Sequence, residues 1–115
     1  EEWEYACKGK GNRRFPYGSK WNADACNTED ANAEDREMGA AGSFPRCRSP
    51  FGVFDMSGNV SEWTASKYSP AAAARTYKGG SATRPNWATR CASRGSASPG
   101  ARKEDLGFRC CTEPR

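Results

Sequence analysis

A chain of 115 residues with a net charge of +4 has the length of one domain, or of a piece of one. One Leu, no Ile, two Val and five Phe exclude an ordinary aliphatic core. Four Trp, four Tyr and six Cys exclude the disorder that so few aliphatics would otherwise imply, since a large aromatic buries roughly 150–250 Å² and small cores are commonly stapled by disulfides or metals.

In chain order, Trp3, Ala6 and Cys7 share one face of a predicted helix over residues 1–8, which Gly9 and Gly11 end. Residues 12–22 set Phe15, Tyr17 and Trp21 among turn formers. Residues 22–42 are small and acidic, a predicted surface loop with a helical turn near Ala31–Glu37. Phe44-Pro45 and Pro50-Phe51-Gly52 re-anchor the chain. After a low-complexity bridge, Ala71–Ala74, Thr76-Tyr77-Lys78 starts a strand that Gly79-Gly80-Ser81 bends. A short strand is predicted over Arg90–Arg94, a loop over Ser96–Asp105 and a closing strand over Leu106–Cys110. The fold class expected is α+β, irregular and loop-rich, in a single domain over residues 1–115.

Six cysteines in a polar chain without histidine read as a disulfide framework and point to an oxidising, extracytoplasmic compartment. Fifteen pairings are open, but Cys110 and Cys111 are expected to reach different partners because a vicinal bridge is strained. The absence of histidine removes Ser-His and Cys-His dyads and His-ligated metals. No apolar run is long enough to span a membrane, and any export signal would stand upstream of Glu1. Arginines are spread along the chain instead of clustered on a recognition helix, which argues against nucleic acid as a partner.

Asp55-Met-Ser-Gly-Asn-Val-Ser-Glu62 has the chemistry of a hard-cation loop. Two carboxylates stand at its ends, and Gly58 lets backbone carbonyls turn inward toward an ion that takes six to eight oxygens. The same string suits an ordinary turn, with Asp55 as an N-cap and Glu62 in solvent. Asn59-Val-Ser61 also matches a glycosylation sequon.

From Glu2-Trp-Glu-Tyr-Ala-Cys7 the chain resembles the formylglycine-generating-enzyme, or sulfatase-modifying-factor, family, a branch of the C-type-lectin-like fold. The resemblance continues in order through Phe15-Pro-Tyr-Gly18, Gly42-Ser-Phe-Pro45, Phe51–Trp63, Gly79-Gly-Ser81, Arg90-Cys-Ala-Ser-Arg94 and Gly107-Phe-Arg-Cys110. No stretch is specific alone; their order is. It covers nearly the whole chain and the C-terminal part of the family's domain. It implies calcium at Asp55, Gly58, Val60 and Glu62, and a second calcium at Asn27 and Thr28 completed by Asp30, Glu34 or Asp35. It also implies a Cys7–Cys91 bridge and an upstream partner for Cys110. Cys26, Cys47, Cys110 and Cys111 keep three pairings among themselves, of which Cys26–Cys47 would clamp the acidic loop.

The departure from the family is chemical. Its oxidases hold copper through two cysteines after Gly-Gly-Ser, and those positions fall here on Arg84 and Thr89. No copper is expected, and the oxidase activity is expected to be absent. Arg84, Asn86, Trp87, Arg90 and Arg94 are then expected to form a face for a protein, peptide or glycan, because Arg and Trp are common anchors; alternatively, Trp87 packs on the fold and the arginines are solvated. The leading expectation is a non-catalytic binding module. An enzyme of different chemistry and a diversified ligand-display protein are the alternatives.

Overall fold

The computed structural model describes residues 2–11, 13–71 and 73–112; Glu1 of the predicted helix and Ala72 of the alanine bridge lie outside them. The first element is α1, Glu2–Lys8. Glu4 and Lys8 pair across one turn at 2.9 Å, and at Gly9 the helix ends with its N–H still bonded to the Tyr5 carbonyl. The buried edge of α1 carries Cys7, which joins Met56 and Cys91 in a small core against which Trp3, Ala6 and Val53 pack.

Four short strands form the only sheet among the described residues: β1 (Ser61–Lys67), β2 (Arg75–Lys78), β3 (Arg94–Ala97) and β4 (Leu106–Gly107). Their spatial order is β3-β2-β1-β4. β1 and β2 run antiparallel, with Trp63 opposite Tyr77 and an irregularity between Trp63 and Lys67. β3 adds antiparallel to β2, with Gly95 opposite Tyr77, and β4 adds parallel to β1. Gly95 has a steric reason: a Cβ there would lie 2.4 Å from the Tyr77 ring, closer than carbon atoms approach.

Several expectations are corrected. Residues 31–37 contain no helix, because the Asp30 carboxylate accepts the N–H groups of Asn32 and Glu34 (2.8 and 3.1 Å) and folds the segment into a side-chain-stabilised turn. The strand predicted at Arg90–Arg94 begins only at Arg94, after a 3₁₀ turn at Asn86–Ala88. The closing strand keeps only Leu106 and Gly107.

The long irregular segment between α1 and β1 is stapled to the sheet rather than self-supporting. A Cys26–Cys47 disulfide closes its middle and Cys7–Cys91 ties α1 to the chain before β3. Gly58 N–H donates to the Gly79 carbonyl at 2.7 Å, and Asn59 N–H to the Asn27 carbonyl at 2.7 Å. Gly58 has φ +81°, and a Cβ on it would lie 2.2 Å from the Asn27 carbonyl oxygen. Only glycine permits this crossing.

Candidate functional site

Glu62, the second residue of β1, is buried, and its carboxylate is taken up entirely by protein groups. Arg109 grips it with both arms, Nε to Oε1 at 2.8 Å and Nη2 to Oε2 at 2.6 Å. Trp3 Nε1 adds a third bond to Oε1 at 2.8 Å. The hydrogen bond to Glu62 holds the Arg109 guanidinium even further above its ordinary pKa, with Asp55 adding to the attraction. Asp55, also buried, accepts the Gly42 N–H at 2.8 Å and sits at φ +59°. No helix follows Asp55 and Glu62 is not in solvent, so the ordinary capped turn is not what this segment forms.

A second guanidinium fills the neighbouring loop. Arg36 Nη1 donates to the carbonyls of Ala23, Cys26 and Thr28, and Nη2 to the Asp24 carboxylate at 3.1 Å. Beside it Asn27 is buried; its Nδ2 donates to the Glu37 carbonyl and to Asn59 Oδ1 (2.9 and 3.0 Å), while its Oδ1 has no hydrogen-bond partner. The Asn59 amide also accepts the Gly39 N–H and donates to the Gly39 carbonyl. The sequon asparagine is thus spent on holding loops together.

The sheet and the chain after Gly79-Gly80-Ser81 enclose a cleft of about 260 Å³. Tyr77 and Lys78 come from β2, Arg94 and Gly95 from β3, and Arg84, Trp87 and Ala88 from the 3₁₀ turn and its approach; Ser61 and the Gly79-Gly80 backbone also line it. Lys78 is buried, and desolvation lowers its pKa despite the opposing pull of Glu4, whose carboxylate lies 3.5 Å from Nζ. Trp87 is 63% exposed, so it does not pack into the fold. Of the five residues expected on this face, Arg84, Trp87 and Arg94 line the cleft; Asn86 and Arg90 do not. Sequence reasoning missed Tyr77 and Lys78 as cleft residues. Their strand was legible, but the close approach of Gly80 to Ala88 and Thr89, which sets the 3₁₀ turn beside it, was not.

Residues 1–114 match the model of the sulfatase-modifying factor enzyme 1-like domain. This chain belongs to that family. Among curated relatives it is 34% identical over 97% of its length to inactive C-alpha-formylglycine-generating enzyme 2 of Mus musculus, of which it covers 41%. It is 28% identical, again over 97% of its length, to the formylglycine-generating enzyme of Bos taurus, covering 37% of it. The chain therefore spans about two fifths of the curated relatives it matches. Treponema denticola variable protein 1 has the same fold (TM-score 0.80, 22% identity, 93% of this chain and 43% of that one). So does PvdO from Pseudomonas aeruginosa (TM-score 0.77, 26% identity, 93% and 48%).

Against this sulfatase-modifying-factor framework the residues can be tested for the family's metals. Copper needs soft thiolates. Where the resemblance places them, Arg84 lines the cleft, and Thr89 is fully buried with its hydroxyl bonded to the Pro85 and Asn86 carbonyls (3.3 and 3.2 Å). The two free thiols, Cys110 and Cys111, are exposed and do not line the cleft. The copper pair does not fit.

Calcium does not fit the expected ligands as they stand. Asp55, Gly58 and Val60 lie in the loop that leads into β1 and Glu62 is in β1 itself, with both its carboxylate oxygens bonded to Arg109. At Asn27 and Thr28 the free Asn27 Oδ1 could serve a cation. However, the Thr28 carbonyl is bonded to Arg36, and Asp30, one of the three acids considered, is turned into its own loop. Among the described residues no group of three or more His, Cys, Asp or Glu converges to hold a metal. At each implied site a guanidinium bonds one of the expected ligands: Arg109 the Glu62 carboxylate and Arg36 the Thr28 carbonyl.

Both the implied Cys7–Cys91 bridge and the Cys26–Cys47 bridge are present. Cys110 and Cys111 are left without one another as acceptable partners, because a vicinal bridge is strained. No helix among the described residues is long and apolar enough to cross a membrane.

Proposed function

We propose that this chain is a non-catalytic module of the sulfatase-modifying-factor family that holds a protein, peptide or glycan partner in the cleft between Tyr77, Trp87 and Arg94, within an extracytoplasmic assembly. One observation carries the reading: the frame around Gly79-Gly80-Ser81 is retained while the positions of the copper thiolates hold Arg84 and the buried Thr89. A large aromatic left 63% exposed at the rim of a cleft is the usual composition of a binding hot spot rather than of a packed surface. Relatives 34% identical to this chain are themselves named inactive, which supports the same reading. Two disulfides support an oxidising compartment, and a small sheet carrying long stapled loops is compatible with a C-type-lectin-like frame.

The test is direct. The chain is incubated with Cu(I), oxygen and a cysteine-containing sulfatase-type peptide, and the peptide is analysed by mass spectrometry. It is expected to remain unconverted; formation of the aldehyde would overturn the reading.

A further inference from the structure

The cleft residues say more than that something binds. Three cations line it, Lys78, Arg84 and Arg94, and no carboxylate does. The Lys78 ammonium is spent on Glu4, at 3.5 Å, and on the Trp3 ring, 5.4 Å from its centre, which leaves Arg84 and Arg94 for a ligand. Arg94 donates to the Tyr68 carbonyl at 2.9 Å and covers the Tyr68 ring. Neither Arg84 nor Arg94 has a carboxylate within ion-pair distance among the described residues. Like charges gathered in a concave, partly desolvated space raise its potential, and an entering anion relieves the repulsion.

The walls set the size and shape of that anion. About 260 Å³ is smaller than the roughly 300–1,000 Å³ of a site that engulfs a whole small molecule, but it suits one or two side chains of a longer ligand. Trp87, 63% exposed, offers a flat face for an aliphatic stem or a peptide plane. Arg94 and Gly95, the first residues of β3, line the cleft, and β3 is an edge strand. Its outer edge is available for an extended peptide to pair with.

Resting on the partner-binding reading above, we infer that the cleft takes an anionic side chain, a carboxylate or a phosphate ester, from an extended peptide lying against β3. The anion sits between Arg84 and Arg94, with its stem on Trp87.

An array of nonapeptides with glutamate, phosphoserine, glutamine or lysine fixed at the centre and the flanks randomised, probed with the whole chain, tests this. Hits are then re-measured by fluorescence anisotropy in about 50 and 300 mM salt. Glutamate or phosphoserine pools are expected to bind and glutamine and lysine pools to fail, with affinity falling in salt as exposed charges are screened. The stronger of the two anionic pools identifies the source. Arg84→Glu and Arg94→Glu, at exposed positions and checked for unchanged melting, are expected each to weaken binding about tenfold. Equal binding of glutamine or lysine pools that is lost in Trp87→Ala overturns the anionic class and leaves the partner-binding reading standing. Anionic binding indifferent to both arginine variants places the site elsewhere and overturns the inference. No binding by any pool overturns the peptide inference, while a glycan array probed in parallel decides the broader reading.

Discussion

Arg109 and Glu62 meet through two parallel hydrogen bonds, 2.8 and 2.6 Å long, and this pair joins the C-terminal segment to the start of β1 and, through Trp3, to α1. Glu62 keeps only 7% of its side-chain surface and Arg109 31%. A forked guanidinium–carboxylate pair has both the charge and the geometry to fix register.

Truncating one partner strands the other. Arg109→Ala leaves a buried carboxylate with only the Trp3 indole, and the expected loss is at the lower end of about 3–5 kcal/mol, since Arg109 is partly in solvent. Glu62→Gln, which keeps two polar atoms, is expected to cost less. Denaturant titrations of both single variants and the double variant give the coupling; strict additivity would contradict the pairing.

Arg109 and Arg36 already bond Glu62 and the Thr28 carbonyl, two of the ligands the family resemblance implies for calcium, so added calcium is expected to contribute little stability. The melting temperature is expected to be the same in EDTA and in millimolar calcium. A chelation-dependent drop of several degrees would show that a cation competes successfully with Arg109 or Arg36.

Gly58 is expected to be intolerant. Gly58→Ala must relieve a contact of 2.2 Å with a backbone oxygen at φ +81°, and a loss of about 3 kcal/mol or more is expected. Urea unfolding of this variant beside Gly100→Ala, where a Cβ meets nothing within 4 Å, separates steric cost from loop entropy. Equal stability of the two variants would contradict the crossing at Asn27.

The cysteines give a count and a ranking. Native protein is expected to titrate two thiols, Cys110 and Cys111, and reduced, denatured protein all six. Cys7–Cys91 spans 84 residues and Cys26–Cys47 spans 21. By chain entropy the first contributes about 4–5 kcal/mol and the second about 3. The Cys7→Ala/Cys91→Ala double variant is therefore expected to unfold at the lower denaturant midpoint.

Glu4 makes stability depend on acid. Its hydrogen bond to Lys8, with Lys78 adding, holds its pKa below the ordinary value of 4.5. A carboxyl lowered on folding contributes fully above its unfolded value and loses that contribution as the pH falls below about 4.5 toward the folded value. Glu4→Gln is expected to lower the unfolding free energy by about 0.2–1 kcal/mol at pH 7, the range of a partly exposed pair, and by progressively less below about pH 4, as read by denaturant titration across pH.

Much of the frame is legible along the chain because it rests on local patterns. Trp3, Ala6 and Cys7 mark α1 by helical spacing, and Gly79-Gly80 marks the end of β2. The family resemblance adds the Cys7–Cys91 bridge. β1 was not legible: Ser61-Glu-Trp-Thr-Ala-Ser-Lys67 has no apolar alternation, and its buried end is polar. Ser61 donates to the Gly80 carbonyl at 3.0 Å and Glu62 pairs with Arg109, partners 19 and 47 residues away. A pattern within one strand cannot show that its polar side chains are satisfied from elsewhere.

The sequence by itself determined which side chains are missing: no histidine, and no cysteine between Ser81 and Cys91, where the family resemblance places the copper thiolates. Only the tertiary structure decided what the remaining groups do. Glu62 reads as a metal ligand until Arg109 is folded onto it, and Arg84, Trp87 and Arg94 read as scattered surface residues until β2 and β3 bring Tyr77 and Lys78 beside them. The reason is physical. Whether a charge is free, paired or gathered with its like depends on distances of a few ångströms between residues far apart in the chain, and those distances are set by packing and crosslinks.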